Sequence, residues 1–175
     1  MKRLFLLLFI FIYSQNTFSQ NVSNKLIKEY EDTLKVIAEQ IMFAKKESDR
    51  VKANNGFIPI LKEVLSFEKS FKYPFDSLET LSILSPDDKS FRIFNWILRK
   101  DNGTYDYFCF VHYNNKKKKK FDLIELTDNS NNIRNESYSD LDSKNWYGCL
   151  YYKIIYIKKS GRKYYTLLGW DGNDG

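Results

Sequence analysis

Histidine occurs once in this chain and cysteine twice, so a multi-histidine metal centre, a zinc ribbon and a disulfide-knit miniprotein are excluded at the start. Three prolines and seven glycines are too few for a low-complexity linker or a collagen-like repeat. Beyond the first residues, no stretch approaches the ~20 consecutive apolar residues that a membrane-spanning helix needs. No motif for a metal or a cofactor is read from what remains, and no internal repeat is visible.

What the chain does have is 175 residues that are 43% hydrophobic and 17% aromatic, enough for one domain with a core of its own. Its beginning carries an address. Lys2 and Arg3 precede the apolar run Leu4–Tyr13, which gives way to Ser14-Gln15-Asn16. These are the charged, apolar and polar regions of a secretory signal peptide. Ten helical residues reach about 15 Å, half of a ~30 Å bilayer core, which argues against an anchor. Thr17 and Ser19 are the small residues that cleavage requires, so residues 1–19 read as the signal and 20–175 as a single mature domain. The protein is expected in the periplasm or outside the cell.

Export relocates the charge argument. The formal charge of +6 falls to +4 without Lys2 and Arg3, and the rest of the mature chain is −1 without Lys116, Lys117, Lys118, Lys119 and Lys120. Basicity confined to one loop does not describe a nucleic-acid-binding surface. The run is read as a weak anion-binding loop whose partner would be an anionic surface, a glycan or an acidic protein, through charge alone.

The mature chain changes period at its middle. From Ser23 to about Asn55, Ile27, Tyr30, Leu34, Ile37, Ile41, Ala44, Ser48 and Val51 fall on one helical stripe, with Glu31 on the wet face. Ser23 or Asn24 is expected to cap the start and Asn55-Gly56 to stop the helix. Pro59 then suits the first turn of a second, short helix ending near Ser70, so that 23–70 is helical. From 81 to 170 the period is two. Leu81–Leu84, Phe91–Arg99, Thr104–Tyr113, Phe121–Thr127, Trp146–Lys158 and Lys163–Trp170 read as strands separated by Ser85-Pro86-Asp87-Asp88, Asn102-Gly103 and Ser160-Gly161 turns. Asp128–Asn145 is a long polar loop. The expectation is an α+β fold with two N-terminal helices packed on an antiparallel sheet of about six strands. Because Asp171-Gly172-Asn173-Asp174-Gly175 reads as a turn that leads onward, the chain is expected to continue past Gly175.

The stretches Ser85–Trp96 and Tyr164–Asn173, with a signal ending in Phe18-Ser19-Gln20, resemble uncharacterised secreted proteins of Bacteroidetes. That resemblance implies export and no particular activity. Asp32-Thr33-Leu34 and Asp76-Ser77-Leu78 resemble the O-glycosylation acceptor pattern of that group, and the second lies in a loop.

Few residues suggest chemistry. His112 lies in an alternating strand and lacks a recognisable nucleophile or orienting carboxylate, so no catalytic residue is assigned. Cys109 and Cys149 lie in different strands: a disulfide between them closes a loop of about 40 residues, and two buried thiols fit equally well. Asp171-Gly172-Asn173-Asp174-Gly175 has calcium-loop composition but places glycine where a ligand belongs. The aromatics Trp96, Tyr105, Tyr107, Trp146, Tyr147, Tyr151, Tyr152, Tyr164, Tyr165 and Trp170 concentrate in the strand half, where they serve a core or an interface. The reading is an exported, non-enzymatic binding or structural protein using an aromatic sheet face or the lysine loop. Its alternative is a hydrolase with a carboxylate or serine site that the sequence does not reveal.

Overall fold

The computed structural model describes residues 23–118, 120–135 and 139–173, so the proposed signal lies outside the described residues. Helix α1 spans Asn24–Phe43 and α2 spans Glu47–Ser66. Six strands follow: β1 (Ser82–Leu84), β2 (Phe91–Arg99), β3 (Tyr105–Asn115), β4 (Lys120–Leu126), β5 (Leu150–Lys159) and β6 (Arg162–Trp170). The expected α+β order and strand positions are therefore observed, with one refinement. The strands form two antiparallel sheets, β1-β2-β3-β4 and β5-β6, in place of one.

The helix boundaries need correction. Ser23 caps α1 as expected, its Oγ accepting from the Leu26 amide at 3.2 Å. The break, however, falls at 44–46, and both Gly56 and Pro59 lie inside α2. The cause is Arg50. Its side chain is fully buried, and Nη1 donates to the carbonyls of Ala44 and Lys45 at 2.8 and 2.9 Å, holding open two carbonyls that a continuous helix would use. Asn54, one residue before the expected stop, instead accepts from Trp96 Nε1 at 2.8 Å within the core. The break also shifts the helical phase, which leaves Val51 exposed. Glu31, expected in solvent, is buried because its carboxylate accepts from the Tyr73 hydroxyl and the Ser77 amide, both at 2.7 Å.

Strand alternation distributes the core between two layers. On one face of the four-stranded sheet, Phe94, Trp96, Leu98 and Phe110 meet Ile27, Leu34, Phe57 and Leu61 of the helices. Phe57 stands edge-on to Trp96 at 5.1 Å, and Phe108 stacks on Trp96 at 5.4 Å. On the other face, Ile93, Tyr107 and Cys109 gather Trp146, Leu150, Tyr151, Ile154 and Leu167. The result is helices, sheet and hairpin in three layers.

The turns follow their residues. Gly103 has φ +90 and closes β2–β3, while Asn102 Oδ1 accepts from the Thr104 amide at 3.0 Å. Ser160 and Gly161, at φ +50 and +76, form the tight β5–β6 turn that only two left-handed residues permit. The polar loop is zipped at its base by Thr127, Asn129, Ser143 and Trp146, and β5 therefore begins at Leu150, later than expected.

Candidate functional site

From Leu150 to Trp170 the chain contains no acidic residue, while Lys153, Lys158, Lys159, Arg162 and Lys163 are basic. The hairpin built from this segment faces the sheet with Ile154 and Leu167. Its register places Ile155 opposite Thr166, Ile157 opposite Tyr164 and Lys159 opposite Arg162 on the outward face. Nothing among the described residues covers that face: Ile157 is 54% and Tyr164 50% exposed, Ile155 is exposed beside them, and Tyr152 projects from the β5 irregularity at 60%. An apolar and aromatic centre thus lies between cations, on the outward face of a two-stranded hairpin.

Three polar attachments hold the hairpin in place. At its base, Asn95 of β2 is fully buried and accepts from the Tyr151 amide at 2.6 Å while its Nδ2 donates to the carbonyls of Phe108 and Cys149 at 2.8 and 3.2 Å. The Ser82 hydroxyl donates to the Tyr151 carbonyl. Near its tip, Asp88 accepts from Lys163 Nζ at 2.7 Å and the Tyr165 hydroxyl at 2.9 Å, and from Ser90 Oγ at 2.8 Å. Lys163 and these hydroxyls hold the Asp88 carboxyl well below the usual carboxylate range. Sequence reading missed this network, because its members are distant in sequence and their residue types are ordinary.

The lysine loop is more committed than its sequence suggests. Asp122 pairs with Lys120 at 2.9 Å and Lys118 at 3.3 Å, which lowers its pKa, with a further contribution from Asn115. Lys116 and Lys117 are exposed, and Lys119 lies outside the described residues. Lys116 and Lys120 also border a cavity of about 600 Å³ shared with Glu68 and Asp122. Part of the run therefore balances a carboxylate of its own hairpin.

Cys109 of β3 and Cys149, which lies just before β5 and not within a strand as expected, stand as thiols in one cluster. Burial pushes Cys149 up to about 11 and Cys109 higher still, the opposite of what a nucleophilic cysteine needs. The aromatics divide in the same way. Trp96, Tyr107 and Trp146 are buried, Tyr165 stacks on Tyr156, and Tyr152, Tyr164 and Trp170 remain exposed. The Asp171 carboxylate accepts from the Tyr107 hydroxyl at 2.7 Å and the Asn173 amide at 2.9 Å, so Asp171–Asn173, the described part of the segment of calcium-loop composition, docks on β3.

A second cavity of about 590 Å³ is lined by Asp106, Glu125 and Asp128. Each is occupied: Asp106 by Lys100 at 2.6 Å, Glu125 by Lys62 at 2.8 Å and Asp128 by Ser130 at 2.6 Å.

His112 is fully buried among Phe71, Phe94 and Phe121, with neither ring nitrogen hydrogen-bonded. Burial, reinforced by the charge of Arg92, lowers its pKa from 6.5 to about 4. Below 6.5 the unfolded chain binds a proton that the folded chain refuses, so stability falls with pH between 6.5 and 4. At pH 4.5 this loss is on the order of 2 kcal/mol, and His112→Phe is expected to abolish it. Urea unfolding of both proteins at pH 7.0, 5.5 and 4.5 checks this, and parallel pH dependences would refute it.

No protein-family model, curated protein or solved structure matches the chain. Among the described residues, no helix is long and apolar enough to cross a membrane.

Proposed function

We propose that this is an exported, non-enzymatic protein that docks on an anionic lipid surface through the outer face of the β5–β6 hairpin. One observation carries the reading: Ile155, Ile157 and Tyr164 are exposed between Lys153, Lys159 and Arg162, on strands without a single acid. Aromatic and aliphatic side chains suit the boundary between headgroups and acyl chains, and the cations suit phosphate. A glycan would use the tyrosines but gives the two isoleucines no apolar phase to enter. The run Leu4–Tyr13 after Lys2 and Arg3 supports export, and the resemblance to secreted proteins of Bacteroidetes agrees with it.

Each cation near an anionic membrane contributes about 1 kcal/mol. The variant Lys153→Ser, Lys159→Ser, Arg162→Ser is therefore expected to bind roughly 100-fold more weakly. Co-sedimentation with phosphatidylcholine vesicles, with and without phosphatidylglycerol, reads this directly. Wild type should sediment only with the anionic vesicles and should be released by salt. Replacing Lys116, Lys117 and Lys118 with serine should change binding far less. Equal sedimentation of wild type and the hairpin variant, or retention on alginate with none on vesicles, would refute the proposal.

A further inference from the structure

We propose that the cavity bordered by Phe71, Lys72, Tyr73, Ser85, Lys89 and Arg92 binds a small organic anion, a carboxylate, sulfate or phosphate carried on a body about the size of one ring. The site lies on the loop between the helices and β2, and does not involve the outward face of the hairpin. Its volume of about 450 Å³ falls in the range of small-molecule pockets.

Arg92 is the reason for assigning a negative ligand. It is only 8% exposed, and its guanidinium donates to main-chain carbonyls alone: Ser70 and Phe71 at 3.2 Å, Pro74 at 3.0 Å, and Tyr73. It lies over the rings of Phe94 and Phe75 at 5.0 and 5.6 Å. Among the described residues no carboxylate comes within ion-pairing distance of it. A buried cation without a counter-charge is costly, and proteins ordinarily supply a partner. Burial draws its pKa down to about 10, with Asp76 the only opposing influence.

The wall repeats the pattern. Lys72 and Lys89 are exposed, and among the described residues neither has an acidic partner. Asp88, the nearest acid by sequence to Lys89, is consumed by Lys163, Tyr165 and Ser90. Three cations thus converge on one cavity, and its lining contains no acid. Two residues of left-handed backbone, Phe75 at φ +59 and Lys89 at φ +51, flank it, a conformation that surrounding structure must hold in place. Phe71 and Tyr73 supply flat apolar walls for the body of the ligand.

Titration calorimetry at low salt, with glucuronate, benzoate, sulfate and inorganic phosphate as probes, tests the site. Glucose and benzyl alcohol serve as uncharged controls. Saturable binding of at least one anion is expected, with no binding of the neutral controls. Tighter binding of glucuronate or benzoate than of sulfate and phosphate supports a ring-borne anion, and the reverse order overturns that part of the proposal. Lys72→Ala together with Lys89→Ala, both surface changes that preserve folding, should weaken binding by roughly 100-fold. Arg92→Lys keeps the charge but loses the planar fork, and should weaken binding further. The absence of saturable binding up to about 10 mM overturns the proposal, as does binding that the lysine variant leaves unchanged.

Discussion

Arg50→Met is expected to destabilise the protein by about 4 kcal/mol, lowering the melting temperature by roughly 10 °C. Arg50 is an ion pair only in part. Its Nη2 donates to Asp101 at 2.6 Å, but the Asp101 side chain is 66% exposed and its half of the pair is screened by water. The remaining donors go to main chain, Nε to the Arg99 carbonyl at 2.8 Å and Nη1 to Ala44 and Lys45. One side chain therefore joins the end of α1, the start of α2 and the end of β2. Methionine fills a similar volume and leaves those carbonyls without donors, at about 1–3 kcal/mol for each that stays buried. Asp101→Ala, by contrast, should cost less than about 1 kcal/mol. Thermal melts of both variants decide the matter. Equal losses would mean that the surface ion pair, rather than the backbone clamp, is what Arg50 supplies.

Asn95→Leu should cost about 3 kcal/mol and should act locally. Leucine keeps the bulk of asparagine but offers nothing to the Tyr151 amide or to the carbonyls of Cys149 and Phe108, all of which meet Asn95 inside the second core layer. The polar attachment of β5 to the larger sheet rests on this side chain and on Ser82 of β1, since the two sheets share no ladder. Amide exchange should therefore accelerate through β5 and β6 first, while α1, α2 and the centre of β2 keep the protection of the globular unit. If the hairpin and helices lose protection together, the hairpin is not an independently attached layer. The lipid-binding proposal makes a companion demand: the variant should still unfold reversibly, with its vesicle binding weakened because the docking face is no longer held.

Much of this architecture was legible because it depends on local periodicity. The strand runs alternate strictly enough that five of the six match the observed strands to within a residue or two at each end, and Asn102-Gly103 and Ser160-Gly161 mark their turns through φ requirements alone. The helix break was not legible. Asn55-Gly56 and Pro59 are ordinary stop and start signals, yet α2 passes through both, because burying Phe57, Leu61 and Trp96 outweighs the local cost of glycine and proline. Glu31 sits on the wet side of the helical wheel and is nevertheless buried, since Tyr73 and Ser77 reach it from a loop over 40 residues away.

The candidate sites divide along the same line. The lysine run was visible at once, and the structure shows part of it spent on Asp122. The basic pocket was invisible, because Lys72, Lys89 and Arg92 are three scattered cations until β2 and the preceding loop bring them together. The basic, acid-free composition of Leu150–Trp170 could have been counted from the sequence, but its significance depends on which side of the hairpin is covered.

By itself the sequence determined the class of fold, the order of its elements and the hairpin turns, all of which follow from residue periodicity and backbone preference over short spans. The tertiary structure decided where the helix breaks, that the six strands part into two sheets, and which cations are free. Those outcomes depend on buried polar groups finding partners far away in sequence, and a buried guanidinium or amide is satisfied by whatever the fold brings within 3 Å of it.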